Sequence, residues 1–159
     1  MPYSLDEISD RMEIEQKIAL YCHAIDLRDF DLLDDVFLPE TSFDFTRVNN
    51  GFRDWTFMKK FMRDHWNLAH DFHIYANIWI RFNADRSEAV SLSKVYNPQG
   101  IKDDKGTHFY TAVGTYKDDW RRSELGWRSL ARQWMPSWIE GDYPHSEPPG
   151  ASLPKPGEI

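Results

Sequence analysis

From about residue 70 the hydrophobic period of this chain changes to two and stays there, after a first half that is mainly helical in spacing, and that change limits the folds open to it. Before it, apolar residues recur every three or four positions; after it they alternate. In LDEISDRMEIEQKIALYCHAIDL (5–27), a turn of about 100° per residue gathers Ile14, Ile18, Cys22 and Ile25 into one stripe. Tyr21 borders one edge of it, Ala19 and Asp26 the other. The spacing predicts one long amphipathic helix. Asp29 then reads as the N-cap of a short second helix, DFDLLDDVF, with Asp31 in its positive first turn and Pro39 beyond its end. TSFDFT (41–46) alternates as a strand, Asn49-Asn50-Gly51 signals a turn, and DWTFMKKFMRDHWNLA (54–69) returns to helical spacing through Phe57, Phe61, Met62 and Trp66.

Beyond the change, HDFHIYANIWIRF puts Ile74, Ala76, Ile78, Ile80 and Phe82 on one face. His73, Tyr75, Asn77, Trp79 and Arg81 fall on the other, so both faces are at least partly covered. EAVSLSKVY, THFYTAVGTYKDDW and GWRSLARQWMPSW follow as three further strands, separated by the turn-rich NPQGIKDDKG and RRSELG. Helices first and a four-stranded antiparallel meander after them predict an α+β fold, in which helices cover a curved sheet and leave a pocket between the layers. Residues 1–142 form one domain in this reading, and the Pro/Gly-rich 143–159 form a C-terminal tail.

Charge and composition exclude several functions. A net charge of -7 argues against nucleic acid or an anionic membrane as partner, since both demand clustered Lys and Arg. Seven Trp within a 15% aromatic content require a core or a ligand. The lone Cys22 makes no internal disulfide, the polar start MPYSLDEISD has no signal-peptide pattern, and no apolar run approaches a membrane span; a cytoplasmic setting is expected.

Metal chemistry is suggested by His65, His70, Asp71 and His73. The period-two pattern, however, turns His70 and His73 to opposite faces, and a fourth ligand is missing, so no metal is expected. The scattered glycines form no phosphate-binding loop, and there is no G-x-S-x-G elbow. Cys22, in mid-helix, reads as a small buried residue. What remains is general acid–base chemistry, which needs a histidine poised near neutrality and a carboxylate to orient it. Asp26 and His73 are the candidate pair. Asp26 stands in the last helical turn, where the macrodipole opposes negative charge and where no capping role explains it. A solvated helix-end acid and a packed histidine are the plainer alternatives.

DRMEIEQKIALYCHAIDLRDFDLLDDVF resembles the opening of SnoaL-like proteins in the nuclear transport factor 2-like superfamily. FHIYANIWI is similar to the H-x-x-x-N strand of that group, VGTYKDDW to its G-x-Y-x-D strand, and GWRSLARQWMPSWIEGD to its closing segment. The resemblance runs from about Asp6 to Asp142 and implies a cone-shaped α+β barrel, its N-terminal helices packed on a curved, mainly antiparallel sheet that encloses a pocket. Scytalone dehydratase, bile acid 7α-dehydratase and hexachlorocyclohexane dehydrochlorinase in this superfamily carry an Asp–His dyad, which the resemblance transfers to Asp26 and His73. The bile acid enzyme has a tyrosine five residues before its aspartate, as Tyr21 stands here. The dehydrochlorinase has a lysine there and a last-strand arginine near the place of Met135, so its chemistry fits less well. A second histidine of scytalone dehydratase aligns with His108, on a strand face shared with Tyr110 and Tyr116; Asn77 shares the His73 face.

The resemblance thus implies a cofactor-independent lyase or isomerase, a dehydratase first. Asp26 and His73 would be catalytic, and Tyr21, Asn77, His108, Tyr110 and Tyr116 would meet a mostly apolar cyclic substrate such as a steroid, polyketide or aromatic catabolite. Two alternatives stand beside it: a non-catalytic subunit like the β subunits of ring-hydroxylating dioxygenases, and a polyketide cyclase or epoxide hydrolase. A homo-oligomer is expected, a trimer ahead of a dimer.

Overall fold

The computed structural model describes residues 3–45, 52–65 and 68–142; the tail 143–159, the Asn49-Asn50-Gly51 turn and Trp66 lie outside the described residues. Helix α1 spans Leu5–Leu27, the bounds the periodicity predicts. Its N-cap is Ser4, whose hydroxyl accepts the Glu7 N–H at 3.1 Å, with Asp6 and Glu7 in the positive first turn. It stops at Arg28, which turns left-handed (φ 59°). Ile14, Ile18, Tyr21, Cys22 and Ile25 are buried, so the apolar stripe is the packed face.

The second helix expected over DFDLLDDVF is only a 3₁₀ turn, Leu32–Asp35. Its acids are drawn into tertiary contacts instead of helix capping: Asp31 pairs with Lys59 and Arg63, Asp34 accepts from Trp55, and Asp35 pairs with Arg128. So short a segment cannot hold an α-helix on its own.

The described residues form seven strands: β1 (Phe37–Asp44), β2 (Phe52–Asp54), β3 (Leu68–Asp71), β4 (Ile74–Phe82), β5 (Glu88–Asp103), β6 (Gly106–Ser123) and β7 (Gly126–Gly141), with helix α2 (Trp55–His65) after β2. They build one strongly curled mixed sheet, a half-barrel against which the two helices pack. The order is β2-β1-β7-β6-β5-β3, and β4 also pairs with β5. The antiparallel meander from β4 to β7 matches the alternation pattern. The parallel pairing of β1 with β7, Phe43 opposite Arg132, does not follow from it.

The run read as one strand from His70 is two. β3 and β4 line the same edge of β5, Asp71 opposite Gln99 and Ile74 opposite Tyr96, and the chain makes a corner at Phe72 and His73. At that corner the His73 N–H leaves the ladder and goes to Asp26 on α1.

Gly114 marks a tight approach between β6 and β7. A Cβ there would lie 2.4 Å from the Met135 carbonyl oxygen and 2.7 Å from the Trp134 ring. Trp120 and Trp127 fill the core against α1. Asp118 and Arg132 are buried as a bidentate pair, at 2.6 and 3.1 Å. Among the described residues no helix is long and apolar enough to cross a membrane.

Candidate active site

Asp26 comes from the last turn of α1 and His73 from the β3–β4 corner. Asp26 Oδ1 lies 2.8 Å from His73 Nδ1, and the two carboxylate oxygens also accept the His73 backbone N–H, at 3.2 and 3.1 Å. One carboxylate therefore fixes both the ring and the backbone of the same residue. The donors it gains offset the unfavourable helix end that sets Asp26 apart in the sequence. The imidazole is 5% exposed and the Asp26 side chain 21%.

On the far side of the ring, Asn97 Nδ2 of β5 lies 2.7 Å from Nε2. With the amide so oriented, Nδ1–H donates to Asp26 and the lone pair of Nε2 accepts from Asn97. Asn97 is buried and its Oδ1 has no partner among the described residues. Sequence patterning did not single it out, because it opens NPQG, which looks like a turn but continues β5.

Asp71 is the second residue that patterning set aside. Its side chain is 4% exposed, Oδ1 lies 3.4 Å from His73 Nδ1, and neither oxygen has a side-chain hydrogen-bond partner among the described residues. Burial pushes its carboxyl up to about 6, against the pull of His73, and Asp26 adds to the rise. It was noticed in the histidine cluster, and its signal was drowned by the His70-x-x-His73 spacing. His70 itself stacks on Phe109 at 5.4 Å.

Aromatic rings and one cation form the wall beside the pair. Tyr21 meets His73 edge-on at 5.8 Å and stacks on Tyr75 at 5.7 Å, and Tyr116 lies edge-on to Tyr21 at 6.4 Å. The Arg132 guanidinium sits 4.0 Å from the Tyr21 ring centre and 4.7 Å from that of Tyr116. Burial raises the Tyr21, Tyr75 and Tyr116 phenols above their ordinary range, so all three are neutral donors at pH 7. Met135, where alignment sought a last-strand arginine, is buried core; Arg132, slightly earlier in β7, is the arginine beside the tyrosines.

The structure thus brings Asp26, His73, Tyr21 and Tyr116 together and leaves three predicted residues elsewhere. Asn77 is exposed at a bulge of β4 with φ 49°, because the register shift between Ala76 and Trp79 turns it off the His73 face. His108 is held by Asp103 and Asp142 near the β5–β6 turn, and those carboxylates raise its pKa. Tyr110 donates its hydroxyl to Gln99, on the wall of a cleft. That cleft, about 510 Å³, is also lined by Asp26, Arg28, Asp71, Phe72 and Phe109.

Comparison with known proteins bears on this geometry. A family model described as a SnoaL-like domain matches residues 6–133. An uncharacterized protein of Mycobacterium tuberculosis, Rv2910c, is 31% identical over 131 residues, covering 81% of this chain and 86% of that protein. Among solved structures, a hexachlorocyclohexane dehydrochlorinase from Novosphingobium barchaimii superposes with a TM-score of 0.74 at 14% identity, covering 91% of this chain and 99% of that one. A nuclear transport factor 2-like superfamily protein from Salmonella enterica superposes with a TM-score of 0.67 at 20% identity, covering 91% and 95%.

Proposed function

This chain belongs to the SnoaL-like domain family, and on that premise we propose that it is a cofactor-independent lyase or isomerase, a dehydratase first. The observation that carries the proposal is the 2.8 Å contact between Asp26 Oδ1 and His73 Nδ1, reinforced through the His73 backbone.

In this mechanism Asp26 fixes the tautomer and leaves His73 Nε2 as the base. The substrate's acidic C–H, next to a carbonyl, displaces the Asn97 amide from Nε2 and gives up its proton there. The imidazolium so formed lies 2.8 Å from Asp26 and 3.4 Å from Asp71, two carboxylates that stabilise it. The neutral phenols of Tyr21 and Tyr116, polarised by Arg132, are the donors for an enolate oxygen or a departing hydroxyl. Their rings favour a mostly apolar cyclic substrate, a steroid, polyketide or aromatic catabolite. The reading places the protein in the cytoplasm, as a homo-oligomer with a trimer ahead of a dimer. Its test is elimination from cyclic β-hydroxy carbonyl compounds by the native chain and by His73→Ala; equal turnover removes the proposal.

A second reading has an observation of its own. Both ring nitrogens of His73 are satisfied within the chain, while Phe72, Trp79, Phe109 and Trp138 are exposed. That combination suits a non-catalytic subunit resembling the dioxygenase β subunits, and co-purification with a larger iron–sulfur subunit would establish it.

A further inference from the structure

We propose that Asp26, Asp71 and His73 form a binding site for one first-row divalent cation, of the Zn²⁺ or Mn²⁺ class, which takes the place of the proton on His73 Nδ1. One ligand atom from each of the three lies within 4.8 Å of the other two. Nδ1 is 2.8 Å from an Asp26 oxygen and 3.4 Å from an Asp71 oxygen. Two ligands of a single ion bound at about 2.1 Å lie about 3.0–3.4 Å apart at octahedral or tetrahedral angles, so the two spacings from Nδ1 need little adjustment.

Asp71 points independently to a cation ligand role. Its carboxylate is almost wholly out of water and takes no side-chain hydrogen bond among the described residues, with only the adjoining Phe72 backbone N–H to ease it, a state disfavoured for an anion. The cationic partner it faces, 3.4 Å away, is the Nδ1 that Asp26 already holds. One N–H cannot satisfy two carboxylates, whereas a divalent ion can.

Asn97 supplies the outer contact such a site needs. A metal on Nδ1 requires the proton on Nε2, and the Asn97 amide, turned over, offers Nε2–H its presently unpartnered Oδ1. The cleft lined by Asp26 and Asp71 gives the ion a way in. Mixed carboxylate and imidazole donors suit Zn²⁺ and Mn²⁺, and three protein ligands leave positions for water. The sequence pattern had paired His70 with His73; the fold instead gives His73 the two aspartates. With the ion on Nδ1, Nε2 carries a proton and is no longer a base, so the cation and general-base states exclude each other.

Calorimetric titration of chelator-treated protein with Zn²⁺, with Mn²⁺ followed in parallel by electron paramagnetic resonance, tests the site. The expected result is one ion per chain, bound at least about tenfold more weakly by Asp71→Asn, and an X-ray absorption edge that reports one imidazole with oxygen ligands. Asp71→Ser serves if the Asn variant does not fold. Binding unchanged in the Asp71 variants, binding lost only in His108→Ala, or no binding at all overturns the proposal. Turnover of the chelator-treated protein is scored separately: activity without metal binding removes this site alone, and metal binding without activity removes the enzyme reading alone.

Discussion

Asp26 binds His73 twice, once at Nδ1 (2.8 Å) and once at the backbone N–H (3.1 and 3.2 Å), so a helix end and a strand corner share one carboxylate. The double contact separates orientation from basicity. Asp26→Asn keeps an oxygen for one N–H but loses the charge that stabilises the imidazolium. It should lower turnover by about 10²–10⁴, as should His73→Ala, with circular dichroism unchanged. Near-native turnover in both variants would remove the dyad.

Asp71 makes stability depend on pH. Its folded value of about 6 exceeds the ordinary 3.8 because of burial, with His73 and Arg28 opposing the rise and Asp26 adding to it. The folded state therefore holds the proton more tightly: the stabilisation is full below pH 3.8 and is lost as pH rises through about 6. A rise of about two units corresponds to roughly 3 kcal/mol. In chelator, Asp71→Asn should be more stable than the native chain at pH 8, by up to that amount, and the gain should vanish near pH 3.5. Urea midpoints at the two pH values measure it, and a gain that persists at low pH contradicts the assignment.

Asp118 is the sole bidentate partner of the buried Arg132 among the described residues. Asp118→Ala leaves that guanidinium charged and unpaired amid the tyrosine rings, and should cost about 3–5 kcal/mol in denaturant unfolding. Replacing both partners by apolar residues of similar size, Asp118→Leu with Arg132→Met, should recover most of the loss. A single Asp118→Ala change that is neutral would show that water reaches the pair.

Gly114→Ala pushes a methyl group against the Met135 carbonyl, at 2.4 Å, where two paired strands leave the backbone little room to give. A destabilisation of about 2 kcal/mol or more is expected in thermal and urea melts.

Light scattering at micromolar concentration checks the oligomer. A trimer is the expected mass; a monomer would leave Trp79 and Trp138 exposed to water, as they are in the single chain.

Much of this molecule was legible in its sequence because periodicity reports burial directly. The stripe Ile14, Ile18, Cys22, Ile25 located α1, and alternation located the strands from Ile74 onward. The helix expected over DFDLLDDVF was not formed, since its acids are bound by Lys59, Trp55 and Arg128, which are distant in sequence. For the candidate site, Asp26 carried a local anomaly, a carboxylate at a helix end, and His73 stood out through its resemblance to an H-x-x-x-N strand. Asn97 and Arg132 carried none, since Asn97 opens a stretch that reads as a turn and Arg132 sits in a strand whose alternation fits with or without it, and only the pairing of β5, β6 and β7 brings them near the pair. Asn77 failed because a bulge shifts the period by one, which no pattern of residue types announces.

The parallel pairing of β1 with β7 sets the order in which the chain can be completed during synthesis. Phe43 finds its partner, Arg132, only after nearly the whole domain has left the ribosome. Until then β1 and β2 have no sheet to join, and the tyrosine wall lacks its cation. A chain truncated before β7 therefore loses more than an edge: it never acquires the Arg132 guanidinium over the Tyr21 ring, even though Asp26 and His73 are already present.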